Sequence, residues 1–372
     1  MKSLSIICLL LNIFLASSFF QTSLFKEINK EHEKKNLLIS PLSVYQVLGL
    51  TANGAKGETL DEMLLALGNA NLEEVNTINK LILNAQKGFK TVEIANAVMT
   101  RQEPKKSFVL AASLYEATVE NLKDLAHVND WCNLKTHGKI EKILENLDPN
   151  AVMILLNVIY FKGAWKTEFN ETETTEKTFN NFNDKEQATK VVTMSLKEKL
   201  NYYEDKEKQI VELPYKDDSM SAIIILPYNY KNINDYVAEL EDDKLQGFLK
   251  NMSPKLVQLE LPKFQLDCSV TFESVLQNMG MNLPFSEASD FTGIVADPSV
   301  YISSVVQKSF LSVDEKGSEA SSATSETIST KGPPPEFTPM LVDRPFLFML
   351  RNKKFPINYE MLFMAKVEDL KK

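Results

Sequence analysis

The chain has 372 residues, 44 % hydrophobic and 9 % aromatic, enough to bury a large core. A formal net charge of −9 and a pI near 5.2 argue against a nucleic-acid binder, which needs a basic face to neutralise phosphates. Lysines and acids are interspersed, the pattern of a soluble surface of mixed sign.

The N-terminus carries one charge, Lys2, then an apolar run from Leu4 to Leu15 broken by Ser5 and Asn12, and the small residues Ala16, Ser17 and Ser18. That is the layout of a secretory signal peptide, too short to span a bilayer. The expectation is a leader at 1–18, a secreted single domain at 19–372 and no membrane contact. The other reading is an amphipathic first helix, and a cytoplasmic protein if the N-terminus is retained. Phe20–Ile28 already reads as helix. Ser40-Pro41 offers an N-cap hydroxyl and a proline in the first helical position, so a helix is expected to Gly54. A second follows from Glu58 to Leu67, stopped at Gly68, and a third spans Leu72–Gln86. Val92–Thr100 alternates as a strand does, whereas Asn129–Leu147 returns to helical spacing with a weak point at Gly138. From Val152 strands dominate: Met153–Phe161, Lys190–Met194, Gln209–Leu213, Ser221–Leu226, Leu256–Leu261, Val300–Val306 and Pro345–Leu350. Helices early and strands late indicate an α+β chain.

Enzyme signatures are missing. The chain has no GxSxG elbow, HExxH, P-loop or GxGxxG, and His32, His127 and His137 neighbour no plausible serine or cysteine nucleophile in sequence. Of three cysteines, Cys8 would leave with the leader. Cys132 and Cys268, without CxxC spacing, suggest neither a disulfide framework nor a metal site, and no metal or cofactor is expected. Asn170-Glu171-Thr172 and Asn251-Met252-Ser253 are N-glycosylation sequons, relevant to a secreted chain.

The most informative stretch is VDEKGSEASSAT, Val313–Thr324. After Glu315, Lys316 and Gly317 come Ser318, Glu319, Ala320, Ser321, Ser322, Ala323 and Thr324, and no bulky side chain appears until Ile328. A Ser-rich run can be a flexible linker. Flanked by strand-like runs, it can equally be a spare strand, exposed in one state and inserted in another.

EKGSEASSAT resembles the hinge of the reactive-centre loop of serpins, protease inhibitors that trap their targets by loop insertion. Leu38–Leu48, LISPLSVYQVL, is similar to the family's second helix, and Asn157–Trp165, NVIYFKGAW, to its most recognisable strand. The resemblance runs in the family's order from about Phe20 to Val367 and implies one domain with a large central sheet, two smaller sheets, a collar of helices and an exposed loop at about 315–342. It also implies a suicide-substrate inhibitor that forms a covalent complex with its protease, and a monomer that polymerises on heating. The alternative is a non-inhibitory serpin acting as a carrier, or a plain substrate. Counting from Glu315 as the family does places the reactive bond at Lys331-Gly332, which suits a trypsin-like serine protease; a shift of one bond would put Thr330 there. Alternate residues of an inserted strand face inward, and from Ser318 to Thr324 that set is small and uncharged. Glu326 is discordant, since a buried carboxylate without a partner is unfavourable. Trp165 matches the family's tryptophan beneath the point where the loop enters. The family's sheet-opening cluster of serine, asparagine and histidine is matched by Ser43 and Asn157, with Gln307 in the histidine's place.

Overall fold

The computed structural model describes residues 20–87, 92–228, 232–297, 299–318 and 336–371. The helices come first, as the patterning requires. α1 (Phe20–Glu31) leads through β1 (Leu37–Ile39) into α2 (Pro41–Ala52). Ser40 caps α2 as expected, its hydroxyl accepting the Ser43 N–H at 3.3 Å. α3 (Gly57–Leu67) ends where Gly68 turns left-handed at φ 71°, and α4 spans Leu72–Gln86.

A five-stranded sheet forms the middle of the molecule, in the order β11-β12-β4-β2-β3. Its members are β2 (Val92–Thr100), β3 (Thr118–Asn121), β4 (Met153–Phe161), β11 (Phe264–Thr271) and β12 (Ser304–Val313). Between them in sequence lie α5 (Lys106–Ser113) and α6 (Leu125–Lys135). β4 is buried along its whole length, which explains why it reads as one unbroken apolar run. One face packs into the main core, with Leu155, Ile159 and Phe161 of β4 in the same buried cluster as Leu42, Val44 and Leu48 of α2. The opposite face, with Ile154, Leu156, Val158 and Val306, packs against Val128, Trp131 and Cys132 of α6 and against Ile140 and Ile143 beyond it.

The remaining strands include β5 (Gly163–Ala164), β6 (Thr175–Asn180), β7 (Ala188–Glu204), β8 (Lys208–Pro214) and β9 (Met220–Pro227). β10 (Ser253–Pro262), β13 (Gly317–Ser318), β14 (Thr338–Leu341), β15 (Phe346–Asn352) and β16 (Met361–Val367) follow, with α7 (Ile233–Ala238), α8 (Asp242–Asn251) and α9 (Glu273–Asn278) between them. The two smaller sheets run into one another along β7, giving a nine-strand ladder β1-β16-β15-β9-β8-β7-β10-β14 with β6 on β7. β13 and β5 make a separate two-strand pair.

Three sequence readings need correction. The helix expected over Asn129–Leu147 is α6, displaced toward the N-terminus and closed by positive φ at His137 (50°) and Gly138 (79°). The chain beyond folds back, and Asn129 Oδ1 accepts the N–H groups of Ile143 and Leu144 at 3.0 and 3.1 Å. The strand expected at Lys190–Met194 is only the start of β7, because exposed lysines and glutamates along its second half disguise the alternation. The run Val300–Val306 enters its ladder only at Ser304, and β12 continues to Val313. No helix among the described residues is long and apolar enough to cross a membrane.

Candidate functional site

The seam of the central sheet lies between β4 and β12, which are adjacent and parallel, in register from Ile154 opposite Ser304 to Tyr160 opposite Phe310. Leu311, Ser312 and Val313 carry β12 past the end of that ladder, paired to β11. A buried polar cluster crosses the seam on the side of α2. Asn157 Nδ2 donates to the Ser43 hydroxyl and, at 2.6 Å, to Asn96 Oδ1 on β2. Gln307 Nε2 donates to Asn157 Oδ1 at 2.6 Å and to the Ser40 carbonyl at 3.1 Å, while its Oε1 accepts the Ser40 N–H at 2.7 Å. Gln307 can do both because an amide carries donors and an acceptor on one group. Strand pairing puts Asn96, Asn157 and Gln307 side by side across three strands, so the cluster ties β2, β4 and β12 to the start of α2. Ser43 and Gln307, grouped with Asn157 by the family resemblance, both bond to Asn157 here. Asn96 and the backbone of Ser40 were not anticipated; the signal for Asn96 was an amide at an inward position of an alternating strand.

At the open end of the seam the chain makes a tight turn. The Asp314 N–H donates to the Gly317 carbonyl at 2.9 Å, and the Asp314 carboxylate accepts the N–H groups of Lys316 and Gly317 at 2.9 and 3.1 Å. The backbone then pairs antiparallel with β5, Gly317 opposite Ala164 and Ser318 opposite Gly163. Trp165 is wholly buried beneath this turn. Its Nε1 donates to the Asp314 carbonyl at 2.9 Å, its backbone N–H donates to the Lys316 carbonyl at 3.0 Å, and its ring stacks on Tyr215 at 4.2 Å. Packing requires a glycine at 317. Its φ is 144°, and a Cβ there would stand 2.0 Å from the Gly163 carbonyl oxygen.

Glu315 is buried, ion-paired to Lys263 at 2.7 Å and accepting the Thr174 hydroxyl at 2.9 Å. Burial pushes its carboxyl pKa up, but Lys263, a backbone N–H and Thr174 together outweigh it and hold the group below the usual carboxylate value. Lys263, sited between β10 and β11, gave no sequence signal of this role. The expected hinge residues Glu319, Ala320, Ser321, Ser322, Ala323 and Thr324, the discordant Glu326, and the expected reactive bond Lys331-Gly332 lie outside the described residues. So do the leader at 1–18 and Cys8.

Asn170 and Asn251 are both exposed. The Asn170 side chain accepts the Thr172 N–H and hydroxyl at 3.0 and 2.8 Å, and Asn251 Nδ2 donates to the Gly247 carbonyl at 2.8 Å at the end of α8. Cys132 and Cys268 are free thiols, pushed up by burial to about 12 and about 11, so neither is a reactive thiolate near neutrality. Among the described residues no group of His, Cys, Asp and Glu could hold a metal ion.

The family profile "Serpin (serine protease inhibitor)" matches residues 15–370. Iripin-8 of Ixodes ricinus is 32 % identical, covering 95 % of this chain and 93 % of its own. The leukocyte elastase inhibitor of Xenopus laevis is 32 % identical, covering 92 % of this chain and 96 % of its own. Among solved structures, the thermophilic serpin tengpin in its native state superposes with a TM-score of 0.87 at 31 % identity, covering 95 % of this chain and 93 % of that one. Family match, relatives and fold all extend over nearly the entire chain, and it belongs to the serpin family.

Proposed function

We propose that this protein inhibits trypsin-like serine proteases as a suicide substrate, with Lys331 as the specificity residue and Gly317–Thr324 as the hinge of an inserting strand. The observation that carries the reading is the parallel β4–β12 seam, with the chain turning back at Asp314–Gly317 from the end of β12 that lies beyond the paired region. A segment running back from that turn is antiparallel to both strands. Its insertion would replace one parallel pair by two antiparallel ones, which are slightly more stable per residue. Each hydrogen bond gained contributes ~1 kcal/mol net, so a long new strand supplies ample drive.

In the reaction, the protease serine oxygen attacks the Lys331 carbonyl carbon and the bond to the Gly332 nitrogen breaks. The new amine takes the proton that the protease base removed from the serine, leaving an acyl ester. Insertion of the freed arm then carries the bound protease away before water cleaves that ester. A basic residue at the cut suits a specificity pocket holding a carboxylate. The same metastability supports polymerisation on heating, one molecule's loop entering another's sheet. Secretion with the leader removed near residue 18 fits the exposed sequons at Asn170 and Asn251. N-terminal sequencing of protein released by a eukaryotic host tests it.

The decisive experiment mixes purified protein with trypsin and runs a denaturing gel. A band at the summed mass that survives boiling, absent in Ser318→Arg, is the expected result, because that variant places a charge at the first inward position. Cleavage without such a band would indicate a substrate or carrier, and a covalent complex retained by Ser318→Arg would refute the insertion account.

A further inference from the structure

The ring contact between Tyr160 and Phe310 spans the seam at its last ladder pair, with centroids 6.2 Å apart and planes tilted by 36°. Both rings sit on the α6 side of the sheet, opposite the Ser43–Asn157–Gln307 cluster, as strand alternation dictates. Phe310 packs against the satellite core that holds Val158 and Val306. Lys139, from the segment that folds back after α6, places its ammonium 6.0 Å from the Tyr160 ring centroid. Beyond this pair β12 continues without β4, so Tyr160 and Phe310 are the first pair facing each other across the seam that a strand advancing from the Asp314–Gly317 turn must part.

We propose that the Tyr160–Phe310 contact is a latch that sets how fast β4 and β12 part, and so positions a cleaved loop between trapping its protease and releasing it. This rests on the insertion reading above. The polar cluster cannot fill the role alone, because Asn157 and Gln307 lie three residues further into the ladder and part only after Tyr160 and Phe310 have separated. An aromatic pair of this geometry is worth enough beyond its buried area to alter an opening rate roughly fivefold. A tight latch keeps the uncut protein from spontaneous insertion; too tight a latch lets deacylation win.

The test uses the intact protein and a synthetic peptide of sequence SEASSATSETIST, matching residues 318–330, whose uptake into the sheet is followed by native electrophoresis. Phe310→Ala should take up peptide roughly fivefold faster than wild type. Tyr160→Phe, which keeps the ring, should match wild type. Ile143→Ala serves as control, since it opens a cavity in the same satellite core but lies on neither β4 nor β12. Equal uptake by wild type and Phe310→Ala overturns the latch alone, as does equal acceleration by Ile143→Ala, which would mean general loosening. No uptake by any of the proteins would overturn the latch together with the insertion reading on which it rests.

Discussion

Gln307→Leu removes three hydrogen bonds from the seam while keeping nearly the same volume. The Ser40 carbonyl still accepts the Val44 N–H at 3.2 Å, so it is not orphaned. The Ser40 N–H and Asn157 Oδ1 each lose the partner described above, and both residues are buried. Two buried orphans at ~1–3 kcal/mol each give a loss of ~2–6 kcal/mol. On the proposed reading the native state is metastable, so the readout is the rate of unfolding in urea rather than an equilibrium midpoint. If the seam is open in the transition state, the lower bound corresponds to roughly a 30-fold faster rate. Oligomer formation on mild heating, followed by size exclusion, should accelerate with it. An unfolding rate within about threefold of wild type would refute the reasoning, showing that the cluster does not hold the strands together.

Two further substitutions test other parts of the molecule. Asp242, in the first turn of α8, is buried and accepts the Thr22 hydroxyl of α1 at 3.1 Å; burial pushes its carboxyl up to about 7, against lowering by Thr22, with Asp243 adding to the rise and Lys26 opposing it. The folded state therefore holds this proton more tightly than the unfolded chain, and the group's contribution, present at acid pH, is lost as pH rises from about 4 to about 7. Asp242→Asn should abolish that dependence and unfold in urea more slowly than wild type at pH 8, with no difference at pH 4; a difference unchanged with pH would exclude the titration. Gly317→Ala should break the β5–β13 pair, since the added Cβ meets backbone at 2.0 Å, at a cost of ~1–3 kcal/mol for overpacking. Tryptophan fluorescence should change as the Asp314–Trp165 bond is lost, and an unaltered spectrum with unaltered susceptibility to proteolysis near 317 would count against the packing role.

Much of the fold was legible from residue pattern. Ser40-Pro41 and Gly68 marked helix ends because caps act over three or four residues. The apolar run Met153–Phe161 announced a strand, and the structure buries it along its whole length. The small residues after Gly317 suggested a segment able to enter a sheet, and the order of motifs identified the family. Patterning misplaced α6, because the helical spacing continues past the turn at His137–Gly138 that ends it, while the segment beyond is folded back onto Asn129 by Ile143 and Leu144.

What the sequence determined by itself was therefore local: helix ends, strands and a family resemblance, all set by interactions within a few residues or by periodicity. Only the tertiary structure decided that Gln307 bonds Ser40 and Asn157 at once, 267 and 150 residues away. It alone paired Glu315 with Lys263, pressed Gly317 against the Gly163 carbonyl, and set Tyr160 against Phe310 across the seam. The physical reason is the same in each case. Registers between distant strands choose these neighbours, and no period in the sequence records a register.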